Sequence, residues 1–187
     1  MMRGTTLLIS LCALGLSGCT ESESTKDNSM SEWRPLITEF YKLDHADDPD
    51  SLELGQPATA EDFDSLDKEV GFKMPPEFRS FYAEFNGFGT NRDGETDWFF
   101  VPISGIPSLT AGIRDWIQET HPEIAKRYVA VVDWGNGDSS GYLFSESGEP
   151  LDGFFIFEHE SYEFEADQDW REFIIPVDSS IRDFLTE

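Results

Sequence analysis

Apolar positions first recur at helical spacing over Trp33, Leu36, Ile37, Phe40 and Tyr41, behind Ser31 as a capping residue. Pro35 falls in the first turn, where its missing N–H is tolerated. An acidic stretch from Asp44 to Asp50 breaks the pattern. Residues 59–87 then predict two short helices joined by an apolar corner. Thr59 caps the first, with Asp62 answering in a variant capping box. Phe63, Leu66 and Val70 form its stripe, and Gly71 stands where a left-handed C-terminal residue belongs. Pro75 and Pro76 open the second helix, Phe78, Phe81, Tyr82 and Phe85 line its buried side, and Asn86-Gly87 stops it.

Beyond Gly87 the pattern shortens. Gly89, Asn91, Asp93 and Gly94 read as turn residues leading into a strand over 97–101. Leu109, Ile113, Trp116 and Ile117 fit another helix, ending near His121-Pro122. Strands are expected over 128–134, 142–145 and 153–157, with a glycine-rich loop at 135–141 and a turn at 147–150. Ile181, Phe184 and Leu185 form a closing helix. Helices first and a meander of short strands after them predict an α+β fold. The expected architecture is N-terminal helices packed on a mostly antiparallel sheet, closed by a C-terminal helix. No internal repeat and no second domain are visible.

These signals resemble the SUKH superfamily, the Smi/Knr-like domains. The first carrier is the capped helix ending Val70-Gly71, followed by Met74-Pro75-Pro76, the aromatic stripe and Asn86-Gly87. The others are Trp134-Gly135-Asn136-Gly137-Asp138, Gly148-Glu149-Pro150, Phe155-Ile156-Phe157-Glu158-His159-Glu160, and Ser180-Ile181-Arg182-Asp183-Phe184-Leu185. The resemblance runs from about Ser31 to Glu187 and departs between Ser161 and Val177. It implies a non-catalytic protein-binding module. Family members of the immunity type neutralise toxins, many of them basic nucleases, and fungal relatives act as scaffolds in cell-wall regulation.

The N-terminus carries a separate signal. Arg3 is a minimal positive region, and Leu7 to Leu16 is an apolar run too short to span a bilayer. Leu16-Ser17-Gly18-Cys19 looks like a bacterial lipobox. Residues 1–18 are therefore expected to be a lipoprotein signal peptide, with Cys19 lipidated and 19–30 a small, polar tether. Acyl chains on Cys19 would provide the membrane anchor. Thr20 lacks the aspartate of inner-membrane retention, so an outer-membrane location facing the periplasm is expected in a cell with two membranes. Residues 31–187 make up the domain. With Cys12 discarded and Cys19 acylated, no thiol remains for disulfides, nucleophilic catalysis or zinc.

No catalytic constellation emerges. His159, placed on a strand, shares a face with Phe155 and Phe157, while Glu158 and Glu160 point the other way and cannot orient it. It reads as a structural or surface histidine. His45 and His121 lie elsewhere and complete no metal set. Taking Asn136 as position 1, Asp138, Ser140 and Gly141 follow an EF-hand at 3, 5 and 6, but Ser147 occupies position 12. That loop reads as a hairpin turn. No nucleophile elbow, phosphate loop or dinucleotide fingerprint is present, so no enzyme activity, cofactor or metal is expected.

Charge is the remaining clue. The chain carries 38 acids against 13 Lys and Arg, a formal net charge of −25. Residues 145–187 hold 13 of those acids against Arg171 and Arg182. Such a surface repels nucleic acid and anionic lipid and steers basic partners inward. With the resemblance, it implies a protein partner, a basic toxin domain foremost. Solubility in a salty medium is the competing account of the acidity. Glu160, Tyr162, Glu163, Glu165, Asp167 and Asp169 are the candidate contact residues, beside the aromatic Trp170, with Asp138 secondary. Burial of Tyr162, Phe164 and Trp170 in the core is the alternative for the aromatics.

Overall fold

A computed structural model describes residues 31–186. The expected signal peptide, the lipidated Cys19 and the tether lie outside the described residues. Helix α1 (Arg34–Asp44) has Pro35 in its first turn, and the Ser31 hydroxyl accepts from the Arg34 N–H at 2.9 Å. A 3₁₀ turn at Pro49–Ser51 leads into β1 (Leu52–Leu54). Helix α2 (Ala60–Val70) starts and stops where its signals place it; α3 (Pro76–Glu84) starts at its proline but ends two residues before Asn86-Gly87, with Phe85 already extended. The Thr59 hydroxyl accepts from the Asp62 N–H, the Asp62 carboxylate accepts from the Thr59 N–H at 2.8 Å, and Gly71 ends α2 at φ +86°.

Strands β2 (Phe88–Arg92) and β3 (Glu95–Phe100) form a hairpin turned by Asp93-Gly94. Helices α4 (Ile106–Ile117) and α5 (Pro122–Ala125) follow. Then come β4 (Tyr128–Asp133), β5 (Ser139–Leu143), β6 (Phe154–Phe157), β7 (Ile174–Asp178) and α6 (Ile181–Phe184). The seven strands lie side by side in chain order, each antiparallel to the next. The described residues thus form an α+β fold on one open antiparallel sheet.

Two apolar clusters sandwich the sheet. One gathers Trp33, Phe63, Phe78, Phe81, Phe100 and Phe184 beneath α1, α2, α3 and α6. The other gathers Ile113, Ile117, Tyr128, Phe157, Tyr162 and Phe173 beneath α4 and α5. Strand β4 feeds both, Val129 and Val131 to the first, Tyr128 and Ala130 to the second. Its first five residues are therefore all buried, as in a central strand covered on both faces. Polar ties fix the helices. Trp33 Nε1 donates to Ser80 Oγ at 3.2 Å, and Tyr82 donates to the Val101 carbonyl at 2.8 Å. Glu77, in the first turn of α3, accepts the N–H groups of Ile181 and Arg182 at 3.0 and 3.2 Å, so it satisfies the free donors of α6.

Four sequence expectations are corrected. Residues 88–92 are a strand, because Gly89 is demanded by close strand packing: a Cβ there would lie 2.0 Å from the Asp97 carbonyl oxygen. Strand β5 begins at Ser139, since Ser139 and Ser140 are fully buried despite their hydroxyls. The segment after Ser161 supplies a further strand, β7, on the sheet edge. Strand β6 ends at Phe157, so His159 lies in a 3₁₀ turn (His159–Ser161) and not on the strand face.

Candidate functional site

The connection from β6 to β7, residues 158–173, is long yet closely tied. Its two ends are joined by Glu158 N–H donating to the Phe173 carbonyl at 2.9 Å. Gln168 braces the middle: its amide donates to the Ser161 carbonyl at 2.7 Å and accepts from the Glu163 N–H at 3.0 Å. His121, at the start of α5, reaches the Gln168 carbonyl through Nε2 at 2.8 Å. Asp169 caps a second 3₁₀ turn, Trp170–Glu172, by accepting from the Arg171 N–H at 3.1 Å, and pairs with the Arg171 guanidinium.

Asp138 holds the first turn of this connection in place. Its Oδ1 accepts from the His159 backbone N–H at 2.9 Å and from the imidazole Nδ1 at 2.7 Å. Its Oδ2 accepts from the Asn136 amide at 2.9 Å. Burial pushes the Asp138 carboxyl up, but the bonds from His159 and Asn136 outweigh it and hold the group below the usual carboxylate range. Gly137 sits at φ +104°, where a Cβ would meet the His159 ring at 3.2 Å. The imidazole can close on the carboxylate because this position is glycine. The flanking Glu158 and Glu160, weighed in the sequence as its neighbours, take no part.

The predicted contact residues divide. Glu160, Glu163, Glu165, Asp167 and Asp169 are exposed, and the first four project their charge from one ordered loop. Tyr162 is only 4% exposed: its ring packs on Phe173 at 4.9 Å, and its hydroxyl meets Thr120 and donates to the Trp116 carbonyl at 3.2 Å. It is a core residue that anchors the loop from beneath, which is the alternative weighed for it above. Trp170 is half-buried under the Arg171 guanidinium.

Two further residues carry more of the surface than the sequence revealed. Phe164 is 62% exposed and holds φ +58°, a left-handed conformation unusual for a bulky residue. Trp116 of α4, expected in the buried stripe, is 43% exposed, with its ring 6.5 Å from that of Phe164. The nearest hint was spacing, since Trp116 lies beside Ile113 and Ile117 at the margin of the stripe. Nothing local announced that Phe164 would face outward. The result is a pair of exposed aromatic rings at the face of a loop whose Glu160, Glu163, Glu165 and Asp167 are also exposed. Aromatic anchors of this kind supply much of the energy in protein interfaces.

Residues 57–187 match the SMI1 / KNR4 family (SUKH-1). The chain belongs to this family. No curated protein matches it. The SUKH-1 match begins just before the cap of α2 and takes in the whole 158–173 connection. Helix α1 precedes it, although Trp33 and Ile37 sit in the same core as the matched helices. Within this SUKH-1 domain no group of three or more His, Cys, Asp and Glu residues could hold a metal among the described residues. Among those residues no helix is long and apolar enough to cross a membrane.

Proposed function

We propose that this chain is an immunity-type SUKH-1 protein that binds a basic toxin domain through the loop after β6. The toxin would dock on Phe164 and Trp116, with Glu160, Glu163, Glu165 and Asp167 matching its positive charge. The observation that carries the reading is the juxtaposition of an exposed aromatic pair with outward carboxylates on a loop braced from below. A loop already ordered by Gln168, Asp138 and Tyr162 loses little conformational entropy on binding. Neutralisation then works by occlusion: the module covers the toxin's working surface and transforms nothing.

We further propose that the module acts from the cell envelope, held by acyl chains on Cys19 after removal of residues 1–18. The Leu16-Ser17-Gly18-Cys19 motif supports this. From that position the domain would intercept a toxin in transit or one attacking the envelope. Membrane fractionation of cells expressing the full chain and a Cys19→Ala variant tests the anchor. The full chain should sediment with membranes and the variant should stay soluble, whereas identical distributions would contradict it.

The functional test is protection. Cells expressing a basic toxin domain that the chain neutralises should grow only when the chain is co-expressed. A Phe164→Ala, Glu163→Lys, Glu165→Lys variant should fail to protect while remaining folded by circular dichroism. Full protection by that variant would remove the loop from the account. Binding to wall-synthesis proteins in place of the toxin would support the scaffold role instead.

A further inference from the structure

A second concave surface lies where the end of α1 meets β2 and β3 and the turn after β4 folds over them. It is a cleft of about 610 Å³. Its walls are aromatic: Phe40 stacks on Phe99 at 5.6 Å, and Trp134 meets Phe99 edge-on at 4.9 Å. Trp98 borders the cleft from its strand position between Asp97 and Phe99. Trp134 is 40% exposed, and its indole N–H is spent on Ser140 Oγ at 2.9 Å, which fixes the ring. Three carboxylates, Asp44, Asp97 and Asp133, also line the cleft against one guanidinium, Arg92. Arg92 reaches Asp97 at 3.6 Å in a largely exposed pair, and among the described residues neither Asp44 nor Asp133 has an ion-pair partner.

We propose that this cleft receives an arginine side chain presented by a protein partner, its guanidinium lying against the aromatic walls among Asp44, Asp97 and Asp133. An anion would meet three carboxylates. The imidazole of His45 offers it nothing either, being stacked on Tyr41 at 4.1 Å and hydrogen-bonded to Thr90 and the Tyr41 carbonyl. A purely apolar guest would strip water from those carboxylates without pairing them. A guanidinium satisfies both parts of the site, because its flat face stacks on aromatic rings and its edge donates in a fork to carboxylates. Lysine, compact and strongly hydrated, matches only the charge.

The proposal rests on the reading that the module binds a basic protein, and it extends the contact surface along a single turn. Asp133, Trp134 and Gly135 wall the cleft, while Asp138 of the same turn braces the acidic loop.

The test follows the indole N–H signal of Trp134 by NMR in the full chain, titrated with the blocked peptide acetyl-Gly-Arg-Gly-amide. Saturable shifts at that indole are expected. The citrulline peptide, neutral but nearly isosteric, should bind about tenfold more weakly, and Asp133→Asn should weaken the arginine peptide several-fold. Free arginine should bind less well than the blocked peptide, because its own carboxylate faces those of the cleft. Absence of saturable shifts, equal binding by citrulline or lysine peptides, or tighter binding of free arginine would overturn the proposal. Shifts confined to the Trp116 indole would also overturn it while leaving the acidic-loop reading intact. Saturation at the cleft alongside full protection by the loop variant would sink that reading and keep this one.

Discussion

Asp138 accepts three hydrogen bonds from two residues, and those bonds set how the 135–138 turn and the β6–β7 connection fit together. Its folded carboxyl titrates below the ordinary value of 3.8. The stabilisation it provides is therefore complete above the unfolded carboxylate range and is lost as pH falls through the depressed folded value. Asp138→Asn should destabilise the protein by about 1–2 kcal/mol at pH 7, and the gap to the parent should narrow at pH 3, both read from urea unfolding. Gly137→Ala forces an L side chain into the left-handed region against the His159 ring and should cost about 1–2 kcal/mol. Gly112→Ala, in the exposed interior of α4 with no heavy atom within 4 Å of the new Cβ, should instead stabilise by about 0.5–1 kcal/mol. The residues themselves were visible in the sequence, since the turn glycines and His159 all stood out. Their pairing was not, because Asp138 and His159 are joined across two strands and no local rule brings them together.

At the scale of elements, legibility followed the range of the forces involved. Helix α2 and the start of α3 were readable to the residue, because a capping box, a left-handed glycine and an N-terminal proline are determined within a few positions. Thr59→Ala should accordingly cost about 1 kcal/mol of stability by urea unfolding, with the rest of the fold unchanged. Strands β1, β2 and β7 were not readable. Strand β1 is only three residues long, β7 contains Pro176, and β2 contains Gly89. Proline is tolerated in β7 because that strand lies at the sheet edge. Glycine is required in β2 by the approach of the Asp97 backbone, so Gly89→Ala should prevent folding of the β2–β3 hairpin, detectable as loss of near-ultraviolet circular dichroism. Each residue weakens the local strand signal for a reason that exists only once the sheet has assembled. Phe164 is the same kind of case, since its outward pose depends on Tyr162 being buried beneath it.

At the scale of the whole molecule, 38 acids against 13 bases impose self-repulsion that the folded state has to withstand. Added salt screens that repulsion within about 8–10 Å at moderate ionic strength, so the thermal midpoint should rise between 0.02 and 0.5 M sodium chloride. The same screening separates an acidic surface kept for solubility from one that recruits a partner. Solubility calls for charge spread anywhere. Recruitment calls for charge beside an anchor, as proposed for Glu163 and Glu165, which flank Phe164 in the chain. The most direct measurement is the dissociation constant of the full chain, and of its Glu163→Lys, Glu165→Lys variant, for the basic toxin domain it is proposed to neutralise, across a salt series. In the parent, binding should be tight and weaken with salt; in the variant it should be at least tenfold weaker, with a flattened salt dependence. Equal affinities and equal salt slopes for the two proteins would contradict it.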